Sequence, residues 1–125
     1  ASLAQRVGVW SLHRFGDADG GADAFRLALL RTLKVAVHET GHMFSIEHCT
    51  AFHCVMAGSN HLSQTDRQPL WLGPECMAKV AWAAELDPAA RYRQLEVFAE
   101  RHGLVAEARF FAASAAALSD RSAAR

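Results

Sequence analysis

The 125-residue chain has no excess of charge of either sign, since thirteen acidic and thirteen basic side chains leave a formal net charge of zero. No global field draws nucleic acid or an anionic lipid surface toward it, so no nucleic-acid partner is expected. Long apolar runs are also missing. Nothing approaches the roughly 20 residues a membrane-spanning helix needs, and the first residues, ASLAQRVGVW, lack the apolar stretch of a secretory signal. The expectation is a cytoplasmic protein with no membrane partner. Cysteine is scarce and odd in number: Cys49, Cys54 and Cys76 argue against a disulfide framework and for free thiols or metal ligands. There is no internal repeat. A chain of this length with about half its residues apolar supports one modest core, hence a single domain over 1–125.

What is present reads as one strand followed by helices. RVGVWSLHRF alternates Val7 and Val9 with Gly8 and Trp10, and its β-branched and aromatic content predicts a strand. GDADGGAD is a loop by glycine and aspartate density, with Asp23 as helix N-cap. From Ala24 to about Met43, Phe25, Leu29, Leu33 and Val37 recur every four residues, the stripe of an amphipathic helix. Thr50 to Pro74 holds no period and is rich in residues that break helices, so it reads as an ordered loop. Then come three helices: one over ECMAKVAWAAEL, one opened by Asp87-Pro88, and an alanine-rich one after Gly103. The stretch 112–125 is expected to fray.

The chemistry is concentrated in HETGHMFSIEHC, His38 to Cys49. His38 and His42, four apart on a helix, project from one face and offer a two-imidazole bite for a metal. His48, six residues further on, is placed to return a third imidazole. Three protein ligands with a fourth position for water is the pattern of a catalytic zinc. Glu39, inside the His-Glu-x-x-His motif, is then the general base beside the water rather than a ligand. A bare motif of this kind arises by chance; His48, the presenting helix and the nearby Met56 weigh toward zinc.

With these residues in place, the chain resembles the metzincin clan of zinc peptidases, and within it the archaemetzincins. The resemblance runs from about Arg6 to Val80 through His48-Cys49, Cys54, Met56, Ser59-Asn60, Asp66-Arg67-Gln68-Pro69 and Gly73-Pro74-Glu75-Cys76. It implies an α+β fold, a metzincin-like (zincin) catalytic domain with a partial mixed sheet, an active-site helix, an ordered Met-turn loop and C-terminal helices. It implies that His38, His42 and His48 bind the catalytic Zn²⁺, that Glu39 is the base, and that Met56 forms the floor of the site. The family's four cysteines would hold a second, structural zinc.

Three departures qualify that picture. Ser45 stands where the family has glycine, at a sharp turn where a non-glycine residue at positive φ costs on the order of 1 kcal/mol. Gly73 replaces one cysteine, which leaves Cys49, Cys54 and Cys76 short of a fourth ligand; His53 and His61 are the substitutes in reach of the sequence. Gln64 replaces a glutamate before Asp66. The family's domain also carries strands before the segment matching Arg6, so the sheet is expected to be incomplete, with self-association through an uncovered strand. The function expected is a zinc metallopeptidase acting on a peptide or protein substrate. The alternatives are a non-catalytic zinc-binding or interaction module and a truncated product without stable function.

Overall fold

Helix α1 spans Ala22–Met43, and a computed structural model, which describes residues 2 and 4–123, shows what its two faces do. The predicted stripe of Phe25, Leu29, Leu33 and Val37 is only half-buried or exposed. The deeply buried positions are Ala28, Lys34 and Gly41. With Arg31 and His38 they form a row spaced by three and four residues, which is one face of a helix. That row is largely polar, so a search for apolar periodicity passes over it.

The chain between α1 and the next long helix docks on this row. It contains a short helix, α2, over Leu62–Arg67. Arg31 binds Asp66 through two parallel hydrogen bonds, Nε to Oδ1 at 2.8 Å and Nη2 to Oδ2 at 2.6 Å, and a third goes from Nη1 to the Phe15 carbonyl at 3.0 Å. Lys34, only 4% exposed, donates to the carbonyls of Thr65 and Asp66 at 3.2 and 3.0 Å, where the end of α2 leaves acceptors without helical partners. At the other end of α2, Gln64 Oε1 accepts from the Asn60 N–H at 2.6 Å. A glutamate oxygen would do the same, so the Gln64 departure keeps the hydrogen bond.

Two expectations about the N-terminal part are corrected. The N-cap of α1 is Gly21, at φ 101°, rather than Asp23. Asp23 instead lies in the first turn, where its carboxylate pairs with Arg26 and faces the positive end of the helix dipole. The predicted strand and the partial mixed sheet are absent among the described residues: the only pairing is an isolated antiparallel bridge between Ser2 and Val7. A strand is stabilised by a ladder with a neighbour, and none is formed here. Arg6 at φ 51° turns the chain back on itself, the Trp10 ring folds over Gly8, and Val9 stays 93% exposed. The described chain is helical.

The protein forms two compact units, Ala1–Lys79 and Val80–Arg125. The core of the first gathers Ala28, Ile46, Cys54, Val55, Met56, Leu70, Leu72, Cys76 and Met77. Helix α3, Pro74–Ala83, begins within it. The second unit is built on α4, Pro88–Arg101, and α5, Val105–Ala123. Asp87 caps α4 by accepting from the N–H groups of Ala89 and Ala90 at 3.0 and 3.3 Å, and Pro88 occupies the first turn, where its missing N–H costs nothing. Tyr92, Ala99, Leu104, Phe111 and Ala115 form its core, with the Tyr92 and Phe111 rings 6.1 Å apart. α5 continues as helix past Ala112 to Ala123; residues 124–125 lie outside the described part. No helix among the described residues is long and apolar enough to cross a membrane.

α1, α3 and α4 end alike. The residue after the C-cap has positive φ, 61° at Ser45, 51° at Glu85 and 68° at Gly103. The following N–H reaches back five residues: Ile46 to Gly41 at 3.1 Å, Leu86 to Ala81 at 3.1 Å, Leu104 to Ala99 at 2.9 Å. This is the Schellman motif, and it favours glycine at the left-handed position. Ser45 adopts the conformation expected of the glycine it replaces. Ser45→Gly is therefore expected to stabilise the chain by about 0.5–1 kcal/mol, the αL penalty less glycine's greater unfolded entropy; urea denaturation with metal chelated measures it, and a Ser45→Ala control should show no gain.

The Arg31–Asp66 pair makes a pH prediction. The hydrogen bonds from Arg31 hold the Asp66 carboxyl below its ordinary value of 3.8, against the opposing effect of burial. A depressed folded-state pKa contributes stability above the unfolded value, lost as pH falls through the folded one. Arg31→Met should thus cost about 1–2 kcal/mol at neutral pH, with the gap to wild type closing as the medium is acidified below pH 3.8. A gap that stays constant across that range would show that Arg31 acts only through packing.

Candidate metal centre

The last turn of α1 and the chain following it bring His38, His42 and His48 together, with one nitrogen of each within 4.8 Å of the others. The Schellman turn at Ser45 reverses the chain after His42, and buried Ile46 pins the reversal. His48 is thereby returned to the helix face. Ring centroids lie 4.7 Å apart for His38 and His42, 5.2 Å for His38 and His48, and 5.0 Å for His42 and His48.

The orientation of two of the rings is set by backbone carbonyls. His38 Nδ1 donates to the Val55 carbonyl and His42 Nδ1 to the Ile46 carbonyl, each at 2.8 Å. With the proton on Nδ1, each Nε2 of a neutral ring carries a lone pair, and the two Nε2 atoms face each other at 3.0 Å. Two lone pairs at that distance repel unless a cation or a proton lies between them. Burial pushes the His38 pKa down, against the pull of its bond to Val55, and the neighbouring His42 and His48 push it further in the same direction. Neutral imidazoles with Nδ1 held by a carbonyl are the donor set that zinc and related metals take, and a tetrahedral ion with bonds of about 2.0–2.1 Å spaces its nitrogens by about 3.4 Å. The histidines fit a metal ion.

Supporting residues that the motif does not name explain why the geometry holds. Val55 is fully buried and uses both backbone groups, its carbonyl on His38 and its N–H on the Trp71 carbonyl at 2.8 Å. Met56, also fully buried, lies against Gly41: a Cβ on that glycine would fall 2.3 Å from the Met56 sulfur, so any larger residue there would have to push the Met56 side chain out of its packed position. Gln68 Nε2 holds the carbonyls of Ala57 and Gly58 at 2.8 and 3.1 Å. The His48 ring rests over Gly58, whose Cβ would approach Nδ1 to 3.2 Å. Glu39 is half-buried on α1 directly after His38. An open depression of about 400 Å³ is lined by His42, Ser45, Ile46, Glu47 and His48.

Cys49, Cys54 and Cys76 form a second group, their sulfurs within 4.8 Å of one another. Cys54 Sγ accepts from the N–H of Gly73 at 3.0 Å and of Met56 at 3.4 Å. Burial and the adjacent Cys54 and Cys49 push the Cys76 thiol up to about 12. Cys49 goes the other way: burial pulls its pKa up, but the hydrogen bonds from Ala51, Phe52 and the two neighbouring cysteines outweigh it. His53 and His61 are not part of the group among the described residues. His53 Nε2 donates to the Arg67 carbonyl at 3.2 Å and its ring meets Trp71 edge-on, while His61 caps α2.

Both groups lie within residues 19–81, which match the family model of Peptidase family M54. Archaemetzincin-2 of Homo sapiens is 45% identical over 67 residues, 54% of this chain and 19% of that protein. Archaemetzincin-2 of Mus musculus is 32% identical over 121 residues, 76% of this chain and 34% of that protein. Archaemetzincin of Archaeoglobus fulgidus is 39% identical over 80 residues, 54% of this chain and 49% of that protein. The chain thus spans between about a fifth and about a half of the length of these relatives. No solved structure matches. The chain belongs to Peptidase family M54.

Proposed function

We propose that this chain carries the zinc centre of a peptidase that hydrolyses peptide bonds in a peptide or protein substrate, with His38, His42 and His48 as ligands and Glu39 as general base. The observation that carries this reading is the pair of carbonyl-anchored imidazoles whose Nε2 atoms meet at 3.0 Å beside the His48 ring. Zinc, when bound, supplies Lewis acidity toward a carbonyl oxygen and brings the pKa of water near 7. The residues of the chain do the rest. His38 and His42 offer neutral lone pairs already aimed at one point, and their Nδ1 bonds keep the tautomer that makes this so. Glu39 accepts a proton from the attacking water at its carboxylate and gives it to the nitrogen of the leaving amine as the C–N bond breaks. Met56 supports the helix turn between the two histidines from its packed position against Gly41, the role of a Met-turn. The depression beside His42 and His48 admits the substrate. A reducing, cytoplasmic setting suits three free thiols.

A second reading, a zinc-binding module without catalysis, is favoured by one observation: among the described residues no strand borders the depression to align an extended peptide. The two readings agree on the metal and differ on cleavage.

Metal analysis of the purified chain is expected to show zinc on nitrogen donors, largely lost in His42→Ala; an unchanged zinc content in that variant overturns the ligand assignment. Glu39→Gln should keep the zinc while cleavage of a peptide library falls by roughly 10²–10⁴. Loss of zinc together with activity would make Glu39 a ligand instead, and a wild-type chain that holds zinc but cleaves nothing supports the binding module.

A further inference from the structure

We infer that Cys49, Cys54 and Cys76 form a three-thiolate site for a soft monovalent cation, copper(I) above all, with Phe52 packed against Gly73, the position from which a fourth thiolate would have to reach. The four-cysteine zinc that the archaemetzincin resemblance implies does not fit this chain. Its fourth thiolate would come from position 73, which is a buried glycine. A Cβ built there would lie 2.9 Å from Phe52 Cβ and 3.4 Å from both Phe52 Cγ and Cys54 Cβ. Phe52 Cβ is fixed to the backbone and cannot swing aside as the end of a long side chain could. A side chain at position 73 therefore requires the Phe52 backbone to shift, and Gly73 and Phe52 fit together as a pair.

No imidazole takes its place. His53, next to Phe52 in sequence, is engaged with the Arg67 carbonyl and Trp71, and His61 lies at the start of α2. The donor set is three sulfurs within 4.8 Å of one another. Three metal–sulfur bonds of about 2.3 Å in one plane space their sulfurs by about 4.0 Å, so a small closure of the trio meets that geometry. Thiolates take both zinc and copper(I), so ligand number decides: structural zinc needs four protein ligands in a tetrahedron, whereas monovalent copper is satisfied by three in a plane. Three thiolates around a monovalent ion leave net negative charge, and the N–H groups of Gly73 and Met56 on Cys54 Sγ are positioned to offset it. The site is separate from the histidine centre in its donors: the nitrogens suit zinc, the sulfurs a softer ion. The inference goes beyond the peptidase reading and does not depend on it, since its tests read metal and ligand type rather than cleavage.

The full chain, stripped of metal and kept reduced and anaerobic, is titrated with copper(I) and with zinc against chelators of known affinity. Thiolate-to-copper charge-transfer absorption and X-ray absorption at each metal's edge report the donors. Copper is expected at one per chain with three sulfur neighbours and no nitrogen or oxygen, while zinc on the same chain shows nitrogen and oxygen only. Cys49→Ser, at a half-exposed position that leaves the core intact, should weaken copper binding by roughly 100-fold or more, beyond what loss of a supporting hydrogen bond costs a metal site. Gly73→Cys alone should not create a four-sulfur zinc signature, but Gly73→Cys combined with Phe52→Gly, which removes the Cβ that meets position 73, should. A fourth neighbour on copper, zinc displacing copper from the sulfurs, a four-sulfur zinc in Gly73→Cys alone, or copper lost to a weak competitor would each overturn the assignment.

Discussion

One peptide unit holds the candidate site together. The Val55 carbonyl accepts from His38, its N–H donates to the Trp71 carbonyl, and its side chain is buried. This links the helix that carries two of the histidines to both arms of the loop that follows them. Were Val55 displaced, His38 would lose the partner that sets its tautomer, and Met56 would leave Gly41. Cys54, on the other side of Val55, would then lose its place among the sulfurs. A cluster of nitrogens and a cluster of sulfurs are thus built on the two ends of one short buried segment, Cys54 to Met56.

That segment stays in place because α1 uses a polar face to hold it. A loop of this length buries Val55, Met56, Leu70 and Leu72 but still has many backbone groups to satisfy. Arg31 and Lys34 anchor it further, binding a carboxylate and carbonyls of α2 from positions one and two turns before His38. Buried cations are costly unless fully bonded, and here both are bonded to the loop they fix. Gln68 then closes the far side on Ala57 and Gly58, beneath the His48 ring. The helix so described is a clamp as much as a ligand carrier.

Replacements at family positions behave in three different ways. Gln64 keeps the hydrogen bond that a glutamate would make. Ser45 keeps the backbone shape and bears its strain, because the buried Ile46 and two helix-end hydrogen bonds outweigh a penalty of about 1 kcal/mol. Gly73 keeps no ligand, and Phe52 packs so close to it that a side chain there would need the backbone to shift. Whether a departure is silent, strained or chemically new depends on neighbours far away in sequence.

The helices were legible in the residues, because caps and breakers act locally: Asp87-Pro88 opens α4 and Gly103 closes it through interactions spanning a few residues. The histidine group was legible too, since a four-residue step on a helix and a six-residue return are constraints of short range. So was the cysteine trio, through its place in the family pattern. The strand over Val7 to Trp10 was misread, because alternation states only that a segment could pair, and pairing needs a second strand that the described chain does not form. The α1 N-cap went to Gly21 rather than Asp23, at a positive φ of 101° that glycine adopts without strain. The roles of Arg31, Lys34 and Gln68, the fit of Met56 on Gly41, and the packing of Phe52 on Gly73 were decided only by tertiary structure. Each is a contact between side chains and backbone brought together by folding, and no local pattern of residues encodes it.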